Sequence, residues 1–290
     1  MLQSEVTYEL SAPPAGVTPP QRSSKRERLL SRLSGTTLGL LVPLALLAVW
    51  HLASKREWVA PQILPNPQTV LDTIKQQIDS GELFDHFTIS LARVAGGFVL
   101  GSLVGAALGV LMGLSKRAEE YLYPTFKALS QVPVLGWLPL AMMVLGIGES
   151  LKVVIIAQAS LIPVAVNTLK GIRGVPRQYI EVAQAYKFTY GQMLRKVILP
   201  GAVPSIFVGI RYGLTQAWLS LVTVELLASS EGLGFLIVWG RQLFQLDLVL
   251  AAIVVVGIVG LCLDKGLALV EERLLRWQPQ SALVVGKAVR

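Results

Sequence analysis

Residues 91–114 are apolar for longer than the roughly 20 residues a helix needs to cross a hydrocarbon core, and they repeat glycine at Gly97, Gly101, Gly105, Gly109 and Gly113. At about 3.6 residues per turn, a glycine at every fourth position draws a nearly straight stripe down one helix face. Backbones can approach closely along such a stripe, which is how helices associate where lipid removes the hydrophobic drive between them. Two partners are open to it: another span of the same chain, or a second copy. Either way the segment predicts a membrane helix.

Five more apolar runs accompany it, at 37–50, 132–147, 152–169, 200–228 and 248–263, the second of them broken by Pro133 and Pro139. Apolar residues make up 53% of the chain and charged ones 15%, against about 25% charged in soluble domains. That leaves too few charges to solvate a globular surface, so a polytopic, all-α membrane protein is expected.

The net charge of +8 would suggest nucleic acid in a soluble protein, but here the basic residues fall in alternate loops. Arg22, Lys25, Arg26, Arg28 and Arg32 precede the first run, and Lys116 and Arg117 follow the second. The 170–199 loop holds Lys170, Arg173, Arg177, Lys187, Arg195 and Lys196 against the single acid Glu181. The 54–88 segment tilts acidic and contains a short amphipathic helix, with Val70, Leu71, Ile74 and Ile78 on one face after the Pro65-Asn66-Pro67 turn. Basic loops mark the cytoplasmic side. The pattern predicts six spans with both termini cytoplasmic: a disordered basic tail at 1–35, a six-span membrane domain at 36–278 and a C-terminal tail at 279–290.

Most catalytic chemistries are missing. Cys262 has no partner, and His51 and His86 are too far apart for metal-ligand spacing. No phosphate-binding Gly-x-x-x-x-Gly-Lys-Ser/Thr occurs, since Gly286-Lys287 is followed by Ala288. No paired acids sit at mid-membrane for proton or sodium coupling. Transport or sensing remains.

The 170–199 loop narrows this. Pro176 opens a helix over 177–185, and Thr189-Tyr190-Gly191-Gln192 has the form of a capping box that starts a second. Pro200 then begins the fifth span. Glu181-Val182-Ala183, three residues, Lys187, nine residues, then Val197-Ile198-Leu199-Pro200 resembles the EAA loop of ABC importer permeases, with Val182 for an alanine, Val197 for an isoleucine and Lys187 for the usual glycine. Segments 64–69, 80–86, 137–149 and 198–213 resemble the nitrate, sulfonate and taurine branch, and within it aliphatic sulfonate permeases. The likeness covers about residues 40–278.

What the resemblance implies is a type I ABC importer permease of a bacterial inner membrane. Two permease copies would form the path, two ATPase subunits would bind ATP and Mg²⁺ below, and an external binding protein would deliver substrate. This chain would carry no cofactor and catalyse nothing. Glu181, Val182, Ala183, Thr189, Gln192, Leu199 and Pro200 would couple it to the ATPase, unless Glu181 only forms an internal salt bridge. Taurine and nitrate are alternative substrates, and a secondary transporter or channel is the alternative of another class. Arg211 lies 11 residues past Pro200, about 16 Å into the fifth span. At that depth, with Glu225 far toward the outside and Asp264 assigned to the inner interface, it reads as an unpaired guanidinium. It would steer a transported anion, with Trp218 lining the outer path, or merely tie backbone carbonyls and Thr215 together.

Overall fold

A computed structural model describes residues 41–60 and 62–276. The expected basic tail at 1–35, residues 37–40 of the first run, the tail at 279–290 and Gly286-Lys287 lie outside the described residues. The chain divides into two compact units, Met1–Trp58 and Val59–Arg290. In the first, helix α1 spans Leu41–Lys55 and exposes Leu41, Val42, Leu44 and Leu46.

Local sequence sets the helix starts of the second unit. Helix α2 (Pro67–Asp79) opens with Pro67 and is capped by the Asn66 side chain, which accepts from the Gln68 N–H at 3.2 Å. It is the amphipathic helix expected there. Helix α3 (Glu82–Leu114) carries Glu82 and Asp85 in its first turn, where they favour the helix dipole. Ser115 caps α4 (Lys116–Leu129), which buries no residue. The third apolar run does not form a straight span. A 3-10 turn at Val134–Trp137 leads into the short α5 (Leu138–Leu145), and the axis bends by 91° from α4. The break falls at 131–133, where Pro133 cannot continue a helix.

Helix α6 (Glu149–Arg173) starts on an acid and ends on Lys170 and Arg173, each complementing the dipole. The loop helices α7 (Arg177–Ala185) and α8 (Tyr190–Met193) follow, and a π-helical turn at Leu194–Ile198 runs on into α9 (Leu199–Ala228). The expected external stretch after α9 contains a ten-residue helix, α10 (Leu233–Gln242). Helix α11 (Leu246–Leu274) passes Asp264 and continues to Leu274; the expected end at 263 was too early, because residues 265–274 are mostly good helix formers. Among the described residues, four helices are long and apolar enough to cross a membrane, or five if the bent pair is one span.

Helices α3, α6 and α9 make the centre, and α6 is held between glycine faces. A Cβ on any of Gly97, Gly101, Gly105, Gly109 or Gly113 would come within 3.0 Å of α6, meeting Ile156, Ala157, Leu161, Ala165 or Ile172 in turn. From the other side, Gly209 meets Asn167 and Gly213 meets Val164 and Ser160. The stripe of α3 thus faces a span of its own chain. Val94, Ile156, Ala217, Trp218, Leu221, Leu233, Leu236 and Ala252 form the largest buried cluster, which joins α10 and the start of α11 to this centre.

Candidate functional site

Three features stand out on this frame: the polar loop between α6 and α9, a cleft between those two helices, and two clusters of ionised side chains.

The loop is built as its sequence directs. The Gln192 N–H donates to Thr189 Oγ1 at 3.4 Å, and the Thr189 N–H donates to Gln192 Oε1 at 2.9 Å. Both arms of the capping box are therefore closed. Lys187 takes φ 54°, the left-handed conformation that a glycine would adopt more cheaply. A lysine at this position keeps the turn, and the ammonium of Lys196 lies 5.5 Å from the Phe188 ring centroid beside it. Ala183 is buried, whereas Glu181 and Val182 are exposed. Glu181 forms no ion pair among the described residues, so the internal salt bridge is not made. Tyr179, Tyr186 and Tyr190 are exposed around it. Leu199 and Pro200 form the first turn of α9 and are half-buried.

The cleft has a volume of about 580 Å³. Gln158, Ile162, Val166 and Lys170 line it from one face of α6 at four-residue steps, with Asn167 beside them. Tyr212, Gln216, Leu219 and Thr223 line it from α9, and Val132 to Leu135 close one edge. Lys170 is the only charged side chain among the lining residues, and no carboxylate is present. The Gln216 amide donates to the Tyr212 hydroxyl at 2.8 Å, which leaves the phenolic hydrogen for another acceptor.

Arg211 and Trp218 are not in this cleft. Arg211 lines a separate space of about 300 Å³ with Tyr212, Thr215, Asp264 and Glu271. Its Nε and Nη2 donate to Asp264 Oδ1 and Oδ2 at 2.8 and 2.9 Å, and Nη1 lies 3.7 Å from Glu271 Oε2. The expectation of an unpaired guanidinium is overturned: α11 extends to Leu274, so Asp264 sits on its membrane stretch level with Arg211. Thr215 donates to the Arg211 carbonyl, not to its guanidinium. Trp218 is buried in the main cluster, with its indole nitrogen against Gly260 of α11. It packs α9 to α11 and does not line the open space.

The second cluster was not anticipated. Arg93 of α3 uses Nε and Nη2 on Glu149 at 2.7 and 2.6 Å, and Nη1 on Glu225 at 3.0 Å and the Glu231 carbonyl at 2.8 Å. Glu225 also accepts from Ser90 at 2.8 Å and from the Gly234 N–H at 2.9 Å, so its carboxylate caps the first turn of α10. Close approach requires glycine here, since a Cβ on Gly232 or Gly234 would strike the Glu225 side chain. The ammonium of Lys152 donates to Glu149 at 2.6 Å. Depth counting could have grouped these residues: Arg93 and Lys152 start their apolar runs and Glu225 ends one, which places all three at one end of the predicted spans. A charge inside a span needs a partner at its own level.

Among known proteins, residues 97–276 match the family of binding-protein-dependent transport system inner membrane components. The chain is 42% identical over 244 residues to the protein of Bacillus subtilis named as the aliphatic sulfonates transport permease SsuC, covering 84% of this chain and 88% of that one. It is 36% identical over 253 residues to the taurine transport system permease TauC of Escherichia coli, covering 86% and 91%. The crystal structure of an amino acid ABC transporter with histidines shares the fold with a TM-score of 0.58 at 20% identity, over 70% of this chain and 98% of that one.

Proposed function

This chain belongs to the family of binding-protein-dependent transport system inner membrane components, and on that premise we propose that it is the permease subunit of a type I ABC importer for an aliphatic sulfonate. It is a multi-pass component of the inner membrane and a non-catalytic subunit, and it works with ATPase and binding-protein partners. In the proposed assembly two copies of the chain enclose the path, and each receives one ATPase subunit that holds the ATP and Mg²⁺. Six spans with both termini in the cytoplasm bring the basic 170–199 loop to the ATPase. Taurine and nitrate permeases of the same branch give the alternative substrates.

One observation carries the coupling role. Glu181 and Val182 project from α7 into solvent with no partner for Glu181 among the described residues, while Ala183 on the same short helix is buried. A helix with one buried face and one free face can transmit movement from a docked subunit. Nucleotide-driven closure of the ATPases would push on α7, and the capped α8, continuous with α9 through the π-helical turn, would pass that displacement into the spans. Reconstitution tests this. The chain with its ATPase and binding protein should take up alkanesulfonate only with ATP, and Glu181→Lys should insert normally but lose uptake. Robust uptake into ATP-free vesicles holding this chain alone would overturn the importer reading, and normal uptake by Glu181→Lys would move the contact elsewhere.

A further inference from the structure

The cleft between α6 and α9 joins two chemistries that seldom share one wall. Its α6 wall is apolar at Val166 and Ile162, four and eight residues from Lys170. Lys170 stands toward the cytoplasmic end of the α6 face and forms no ion pair among the described residues. Two neutral donors line the same cleft, the second amide hydrogen of Asn167, whose first is used on the Pro163 carbonyl at 2.8 Å, and the free hydrogen of the Tyr212 hydroxyl. We propose that this cleft is a selectivity subsite in the permease itself, which takes a linear alkyl monoanion with its head toward Lys170 and its tail along the apolar wall.

The reading rests on the importer function above and adds the chemistry of its path. A sulfonate head is a compact anion with oxygens for an ammonium and two neutral donors, and an alkyl tail gains by leaving water for the wall. A zwitterion such as taurine would bring an ammonium into a cleft that offers no carboxylate. Nitrate would leave the apolar wall without a role. An anion with a tail uses both halves, so part of substrate choice lies here and is not left wholly to the binding protein.

The test is uptake into proteoliposomes holding the full complex, with ethanesulfonate and pentanesulfonate as probes. Lys170→Gln should raise the KM for both about tenfold, as expected for loss of a charge-assisted contact, and Lys170→Arg should restore most of it. Ile162→Asn should raise the pentanesulfonate KM about three- to tenfold and leave the ethanesulfonate KM unchanged, because Ile162 lies about two turns from Lys170 on the α6 face and only the longer tail reaches it. Should Lys170→Gln fail to assemble, the Ile162→Asn chain-length ratio carries the test. Unchanged KM values and an unchanged ratio, with wild type transporting both sulfonates, would remove the subsite and leave the importer reading intact. A wild-type complex that carries taurine or nitrate and no sulfonate would overturn the substrate reading, and the subsite with it.

Discussion

Arg93 and Arg211 are each met by two carboxylates within the helical unit, yet the two settings have little else in common. Arg93 is 4% exposed and its partner Glu225 is fully covered; Arg211 and Asp264 are 43% and 42% exposed. The first cluster joins α3, α6 and α9 and caps α10, so its charges are satisfied by groups that cannot move apart without stranding one of them. The second is a single seam between α9 and α11. Helix α11 fully buries only Leu248, Ala251 and Ala252, all near its start; Val259, Gly260 and Leu263 pack on α9 and the core only in part, and the ion pair beside them is open to its surroundings. One region is locked and the other is latched. A transporter needs both, a rigid frame and a seam that can be worked, and the same residue type serves each because burial decides what breaking the pair costs.

The largest effect should come from cutting the locked cluster. Glu225→Ala leaves the Arg93 guanidinium buried beside one remaining acid and strips the cap from α10, with an expected loss of about 3–5 kcal/mol. Thermal unfolding of the purified chain in detergent would read it. Replacing Arg93 and Glu225 together by methionine should recover part of that loss, since no charge is then stranded. A double variant no better than the single one would mean that the cluster is not acting as a unit.

A second pair of changes compares the backbones of the two regions. Gly101→Ala forces a methyl group into the Ala157 carbonyl and Ser160 and should cost about 1–3 kcal/mol. Gly257→Ala on α11, where an added Cβ meets nothing within 4 Å, should be neutral or gain up to about 1 kcal/mol from helix propensity. Equal melting shifts for the two would erase the contrast in packing.

The smallest stability effect should follow Asp264→Asn. Arg211 keeps Glu271, the pair is open to water, and the expected loss is below about 1 kcal/mol in the same melting experiment. A loss as large as at Glu225 would make the α9–α11 seam part of the locked frame.

Much of this architecture could be read from single residues and their neighbours in the chain. Asn66 and Ser115 as caps, Pro67 and Pro200 at first helical positions, and the Thr189–Gln192 box act within three or four residues, so their effect is written locally. The four-residue glycine period likewise announced a close helix contact, and Pro176 with the Thr189–Gln192 box announced the two loop helices. The 91° break at 131–133 was half-legible: two prolines warned of it, but an apolar run of the right length hid it.

Which groups meet was another matter. Arg93 and Glu225 are 132 residues apart and Arg211 and Asp264 are 53 apart, and whether either pair forms depends on the depth and rotation of helices that no local rule sets. Arg211 looks unpaired from the sequence because the apolar run of α11 ends at 263, just before Asp264. Trp218 looked like a path residue because depth alone was counted and not the side of α9 on which it falls. The sequence by itself determined where helices begin, which faces are small or apolar, and that the chain belongs in a membrane, because those are properties of neighbours along one backbone. Only the tertiary structure decided which charges are locked, which are latched and which wall of α6 is left open, because those are properties of register between helices far apart in the chain.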